Sequence, residues 1–195
     1  MRRPLCYRYF LAFRPDTVLR CWLTSLADAV GQHAKRVPDE YFHLTLCVIA
    51  ELHHRDPWIV AQVRSALHSP LSSCRFQVGR LQGDPEGAAV HAVGSQCEIQ
   101  DFYRTLVARL ATRAIVPLYR ESGLHPHVTL GRDPCVVETS ALPREWIPDE
   151  LLLIESEVGN GVHRVQARWP LLPPRQGSFA FEVPPLLLAA AGLGR

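Results

Sequence analysis

The pattern of apolar and polar positions changes period repeatedly along the chain. Residues 6–15 (CYRYFLAFRP) are aromatic-rich and alternate, which predicts a strand. Residues 17–34 place Val18, Cys21, Trp22, Leu26 and Val30 at helical spacing, with Asp16 or Thr17 placed to cap the helix. A second strand is expected over 42–50. A second helix is expected over 56–69, opened by Asp56-Pro57 and carrying Ile59, Val63 and Leu67 on one face. Alternation returns at 74–82. The turn sequence GDPEG at 83–87 then folds 88–95 back as a hairpin. Residues 98–114 form the clearest amphipathic helix. Strands are expected at 125–133 and on both sides of Gly159-Asn160-Gly161.

The order is strand, helix, strand, and later helix, strand, strand, with mixed connections. It fits an α+β or α/β chain with an internal duplication. The trace of that duplication is one phrase, His-x-Thr-Leu, at 43–46 and again at 127–130, a separation of 127 − 43 = 84 residues. Each copy falls on a strand that follows a helix.

Composition narrows the class. A chain of 195 residues with 47% hydrophobic and 21% charged positions can bury a substantial core, as one domain or one domain of two similar halves. A net charge of +2 is too small for electrostatic capture of long nucleic acid but leaves room for a local basic pocket. Lys35 is the single lysine; the arginine bias reads as the mark of a GC-rich genome. Six scattered cysteines without a C-x-x-C pair read as reduced, mostly core thiols of a cytosolic protein. No apolar run reaches the roughly 20 residues that span a bilayer. The start, MRRPLCYRYFLAF, is interrupted by Arg8 and lacks a small-residue cleavage site, so it is not read as a signal peptide.

The repeated phrase has chemical content. Residues two apart on a strand share a face, so His43 lies with Thr45 and His127 with Thr129, while the opposite faces are apolar. Side by side, two such strands bring two imidazoles and two hydroxyls to one spot. One imidazole can take a proton from water and the other can give one to a leaving oxygen, while the hydroxyls donate to phosphate. Arg132, three residues after Thr129, is a further candidate phosphate donor. The bland alternative for any single His-x-Thr is a half-buried structural histidine; the second copy argues against it.

The two phrases resemble the paired His-x-Thr-x motifs of the 2H phosphoesterase superfamily, and most closely its LigT-like RNA 2′,3′-cyclic phosphodiesterases, also called 2′-5′ RNA ligases. YFLAFRPD at 9–16, HPHVTLGRD at 125–133 and LLLIESEVGNGVHRVQARWPL at 151–171 extend the resemblance, in patches, over roughly 5–171. Many relatives carry Phe-Leu-Gly after the first motif, where this chain has Val48-Ile49-Ala50.

The resemblance implies an α+β, bilobal fold of two pseudo-twofold-related lobes around a central cleft. It implies a single domain at 1–171 and a C-terminal extension at 172–195. It implies hydrolysis of 2′,3′-cyclic phosphate on RNA ends or small nucleotides to a 2′-phosphate, with 2′-5′ ligation as the reverse reaction. No cofactor and no metal are expected, and the setting is a cytoplasmic, monomeric, bacterial enzyme. By analogy His43 protonates the leaving 3′ oxygen and His127 activates water. An arginine beside His127 would disfavour the charged imidazole there and so agree with that assignment.

Other features invite functional readings of their own. His125 with His127, or His53 with His54, offers two metal ligands but no completing set. Tyr7, Tyr9 and Phe10 on the first strand, and Phe42, are candidates for stacking on a base, with Tyr9 and Phe42 preferred, although strand aromatics more often fill cores. Glu155 and Glu157 share a strand face, read as the solvent side of a hairpin. Ser122 lacks a nucleophile elbow. The rival function is a non-catalytic binder of RNA ends or nucleotides.

Overall fold

Among the described residues, ten strands and three helices build the chain. In order they are β1 (Tyr7–Phe13), α1 (Thr17–Val30), β2 (Lys35–Arg36), a 3-10 turn (Asp39–Tyr41), β3 (Leu44–Leu52), α2 (Pro57–Ala66), β4 (Leu71–Ser72), β5 (Phe76–Asp84), β6 (Gly87–Val93), α3 (Cys97–Ala111), β7 (His127–Arg132), β8 (Glu138–Trp146), β9 (Glu150–Glu157) and β10 (Val162–Leu172). This computed structural model describes residues 6–30, 35–119 and 123–174. Residues 31–34 of the first expected helix, and 175–195 of the expected C-terminal extension, lie outside the described residues.

Local chemistry explains the helix starts. The Leu19 N–H donates to Asp16 Oδ1 at 2.7 Å. The Trp58 N–H donates to Asp56 Oδ1 at 2.9 Å, with Pro57 in the first turn where no N–H is needed. Among the described residues no helix is long and apolar enough to cross a membrane. Three strands have no counterpart in the sequence pattern. β2 and β4 are two residues long, and β8 is an edge strand that is exposed on both faces and contains Pro143.

The strands form one sheet in the order β4-β10-β9-β1-β3-β7-β6-β5-β8, with β2 added at β7. All pairings are antiparallel except β10 with β4. The helices cover one face. Leu19, Leu23 and Ala27 of α1, Val63 of α2, and Ile99, Phe102 and Leu106 of α3 join Leu11, Phe13, Leu44, Val90, Val128 and Leu130 in a single core. On the other face a small apolar cluster of Phe10, Ala12, Leu152 and Ile154, with Val48 and Val165 against it, forms a floor. β9 is therefore covered on both sides, which accounts for its unbroken apolar run Leu151–Ile154.

The duplication is visible in topology. The unit β1-α1-β3 matches β6-α3-β7, and the two units meet at β3 and β7 through the single ladder pair Leu44–Val128. The match includes an irregularity. Ala12 pairs Thr45 and Leu11 pairs Cys47, so Leu46 is extra; Ala89 pairs Thr129 and Ala88 pairs Gly131, so Leu130 is extra. Both units thus carry a β-bulge immediately after the His-x-Thr phrase. A bulge reverses the alternation beyond it. Val48 and Arg132, each three residues beyond a threonine, are thereby turned to the face of that threonine.

Gly87 makes room for the second bulge. Its φ is +144°, and a Cβ there would lie 2.2 Å from the Gly131 carbonyl oxygen. Gly87→Ala is expected to cost more than about 2 kcal/mol, because an unfavourable backbone conformation and a clash with rigid backbone add. Urea unfolding of the variant measures it; an unchanged midpoint would show that the bulge tolerates a side chain.

Candidate active site

The pair Leu44–Val128 fixes which side chains meet. An antiparallel ladder in that register sets His43 across from Thr129 and Thr45 across from His127. Leu44 and Val128 point into the core with no exposure, so all four polar residues occupy the opposite face. Directly opposed Cβ atoms in such a ladder are roughly 5 Å apart and diagonal ones roughly 7–8 Å. His43 and His127 are a diagonal pair, a separation that a single phosphate can bridge.

Both rings are anchored alike. Nδ1 of His43 bonds the Tyr41 carbonyl at 2.6 Å, and Nδ1 of His127 bonds the His125 carbonyl at 2.8 Å. A carbonyl only accepts, so Nδ1 carries the hydrogen in each ring and Nε2 is the nitrogen left for chemistry.

A cavity of about 220 Å³ is lined by His43, Thr45, Arg132, Phe10, Glu157 and His163, among others. His127 and Thr129 share the face but do not line this cavity. It adjoins a second of about 330 Å³ that shares Arg132 and His163 and adds Lys35, Arg36 and Tyr41. A larger cavity beside α3 and β4 contains Glu98, Asp101 and Arg109 but no histidine, and Arg109 there already donates to the Ser69 and Pro70 carbonyls.

The electrostatics are lopsided. Burial foremost, then the His163 imidazole and the charges of Arg14 and Arg132, push His43 down to about 4 against the opposing pull of the Tyr41 carbonyl. Burial, Arg132 and Arg14 push His163 down to about 4 as well. Most other cations nearby are neutralised: Arg8 by Glu51, Arg36 by Asp28 and Asp39, Arg55 and Arg164 by Glu155 and Glu157, and Arg168 by Glu150. Among the described residues neither Arg14 nor Arg132 has a salt bridge.

The expectation about Arg132 needs correcting on one point. It belongs to the strand of His127 but acts on His43. Antiparallel pairing carries whatever follows one phrase alongside what precedes the other, so Arg132 ends near Tyr41 and His43. The argument that Arg132 keeps His127 neutral therefore falls, and the same physics applies to His43.

The stacking candidates are also corrected. Tyr9 and Phe42 are each only 1% exposed and offer no face to a base. Tyr9 points into the core side, its hydroxyl donating to Glu155 Oε2 at 3.1 Å and accepting from the Asp56 N–H at 2.9 Å. Phe42 alternates with His43 and so lies on the core face. The aromatic rings that do stand at the site are Phe10, 5.0 Å from the His43 ring, and Tyr41, 4.8 Å from the His163 ring. Glu155 is not on a solvent face either; it is 3% exposed and paired with Arg55.

Two histidines had no signal in the sequence. His163, on the closing hairpin, lies 5.3 Å from the His43 ring. His91 is paired in register with His127, their rings 5.7 Å apart. Burial foremost, then His127 and Arg80, lower the titration of His91. Among the described residues no three His, Cys, Asp or Glu side chains converge to hold a metal ion. All six cysteines are free; Cys47, Cys74 and Cys135 are buried, while Cys21 and Cys97 are exposed.

No known family's sequence model matches the chain, and no curated protein matches it in sequence. Solved structures do. The fold is that of solved structures crystallised as LigT and as a phosphoesterase. Escherichia coli LigT complexed with 3′-AMP superposes with a TM-score of 0.65 at 18% identity, over 86% of this chain and 99% of that one. A phosphoesterase structure gives 0.65 at 18% identity, over 87% and 99%. The protein TT0787 of Thermus thermophilus gives 0.63 at 19%, over 84% and 97%. Escherichia coli LigT has also been crystallised with phosphate, NADP+ and ATP. The expected α+β, bilobal LigT-like fold is thus the fold observed.

Removing the Arg132 charge should release the histidines it suppresses. In Arg132→Met, the titrations of His43 and His163, followed by NMR, are expected to move upward from about 4 towards the ordinary 6.5. Unmoved midpoints would mean that burial and the remaining charge of Arg14 set them without Arg132.

Proposed function

We propose that the chain is a metal-independent phosphodiesterase that opens 2′,3′-cyclic phosphates on RNA ends or nucleotides to a 2′-phosphate. The observation that carries this reading is the opposed placement of two His-x-Thr phrases in one ladder, with Nε2 of each imidazole left for proton transfer. The LigT-like fold supports it independently. Ligation through a 2′-5′ bond is the reverse of the same chemistry, and water in large excess favours opening. Free thiols and the absence of a membrane-crossing helix among the described residues agree with a cytoplasmic setting.

In this mechanism the phosphate lies between the lobes. Thr45, Thr129 and Arg132 donate to its non-bridging oxygens and stabilise the charge that builds in the transition state. In the anion-free site His43 is the imidazole held without its proton, so it is the group ready to accept one from water. His127 then protonates the leaving 3′ oxygen. This reverses the assignment that the family resemblance implies, and it follows from the burial of His43 and the positive charge beside it.

Hydrolysis of a 2′,3′-cyclic nucleotide in EDTA tests the reaction. Wild type is expected to turn over. His43→Ala and His127→Ala are each expected to lose about 10²–10⁴-fold in kcat, the usual contribution of one acid or base. Turnover that EDTA abolishes and zinc restores would move the chemistry to a metal site. Binding of nucleotide with no turnover by wild type would favour the non-catalytic binder.

The pH profile of kcat/KM tests the low titration of His43, since it reports the free enzyme. Activity is retained down through mildly acid pH and is lost as pH falls through about 4, where His43 takes up a proton. That limb is the same whichever histidine is the acid, so the roles are separated by a substrate with an activated leaving group, which needs little protonation and is expected to rescue His127→Ala but not His43→Ala. Rescue of His43→Ala instead would restore the resemblance's assignment.

A further inference from the structure

Two buried side-chain nitrogens among the described residues have no hydrogen-bond partner, Arg14 Nε and His163 Nδ1. Folded proteins satisfy all but roughly a tenth of such groups, and an unsatisfied buried donor is destabilising, more so when charged. The two are not scattered. Arg14 directly follows Phe13, which pairs with Leu44, so Arg14 comes next to the register position of His43. His163 places its ring 5.3 Å from that of His43 and lines both adjoining cavities. Both orphaned groups therefore border the same imidazole.

The carboxylates within reach are occupied. Glu150, whose charge reaches Arg14, is held by Arg168 at 2.7 and 2.9 Å. Glu157, which lines the cavity, is held by Arg55 at 2.7 Å and by Arg164. Arg8, also in the wall, is matched by Glu51. Tyr41 contacts His163 through its ring. Arg14, Arg132 and His163 thus surround His43 without an anion among them.

The pseudo-twofold sharpens the point, because the other half lacks this surplus. The position matching Arg14 is His91, and the position matching Arg132 is Val48. Charge has been concentrated on one side of a site whose backbone is nearly symmetric.

We propose that Arg14 and His163 complete a phosphate-binding subsite on the His43 side of the cleft, the Arg14 Nε–H and the His163 imidazole donating to non-bridging oxygens of a terminal or cyclic phosphate. The anion then sits closer to His43 than to His127, and the two unpartnered nitrogens acquire their acceptors only when it is present. This rests on the phosphodiesterase reading and adds to it two residues outside the repeated phrase.

The experiment titrates inorganic phosphate into the full chain and measures the thermal midpoint of the phosphate-free protein, for wild type, His163→Phe, His163→Asn and Arg14→Met. Phenylalanine keeps a ring against Phe10 and Tyr41 while removing both nitrogens; asparagine restores an amide near the Nδ1 position. Phosphate affinity is expected to fall about tenfold or more in His163→Phe and Arg14→Met, as loss of a hydrogen bond to a charged group dictates. The phosphate-free variants should be as stable as wild type or more so, since an unsatisfied buried group has gone. His163→Asn should recover part of the affinity.

Opposite signs for binding and stability are what a purely structural role would not give. Equal phosphate affinity in wild type and both apolar variants would overturn the proposal, and so would a wild type that fails to bind phosphate at millimolar concentration. Loss of stability and affinity together, with no recovery in His163→Asn, would assign both residues to packing and overturn it as well. Turnover of a 2′,3′-cyclic nucleotide by wild type is read in parallel. Turnover with unaltered phosphate affinity in the variants removes the subsite and leaves the phosphodiesterase reading standing. The expected affinity losses without any wild-type turnover establish the subsite and remove that reading.

Discussion

The register of one residue pair, Leu44 against Val128, governs the arrangement of the site. Side chains alternate along a strand, so a slip of one residue on either strand would send its His and Thr into the core and its Leu and Val into the cleft. Burial of Leu44, Leu46, Val128 and Leu130, all at 4% exposure or less, makes that slip prohibitively unfavourable. The hydrophobic residues between the polar ones are thus what positions them. They lock the ladder, and the ladder sets each histidine across from the other phrase's threonine.

Duplication supplies the two half-sites, and the bulges at Leu46 and Leu130 give each a further reach. On a regular strand the third residue past a threonine points away from it. Here the extra residue turns that position inward in both halves. The backbone keeps the symmetry, but the side chains do not: one half presents Arg132 and the other Val48. Val48 packs on the apolar floor with Phe10 and Ile154, whereas Arg132 sits at the junction of two cavities. A symmetric scaffold with asymmetric charge can give two chemically identical imidazoles different protonation states, and acid–base catalysis on one phosphate requires that difference.

The legible part of the sequence was the part governed by short-range periodicity. His-x-Thr on an alternating strand is a period-two statement, and so are the apolar partners that hold it. The helix starts at Asp16 and Asp56 were legible because a cap is a local hydrogen bond. The bulge was not, since it depends on the neighbouring strand, and so the reason for the reach of Arg132 and its true neighbour could not be read. Nor could the pairing that brings His163, 120 residues after His43 by subtraction, to within 5.3 Å of it. Phe42 could have been excluded by the same alternation that selected His43. Tyr9 could not, because β1 is buried on both faces and alternation alone does not say which face meets the cleft. β8 escaped notice because an edge strand exposed on both sides has no apolar face to mark it.

The ion pairs outside the cleft bear on the chemistry inside it. Seen by count, the chain is rich in arginine, yet most of the guanidiniums near the site are matched to carboxylates across β9, β10 and the loop after β3. Each matched pair is a dipole whose field falls off quickly, so the unmatched Arg14 and Arg132 dominate the potential at His43. Partial burial strengthens that effect, because the cavity holds less water to screen it. Of the two features that push His43 towards its neutral form, burial and uncompensated positive charge, the second also makes the pocket favourable for a phosphate anion. Proton affinity and anion affinity at this site are therefore set together: a substitution that made His43 easier to protonate by removing charge would weaken the grip on the phosphate it is meant to act upon.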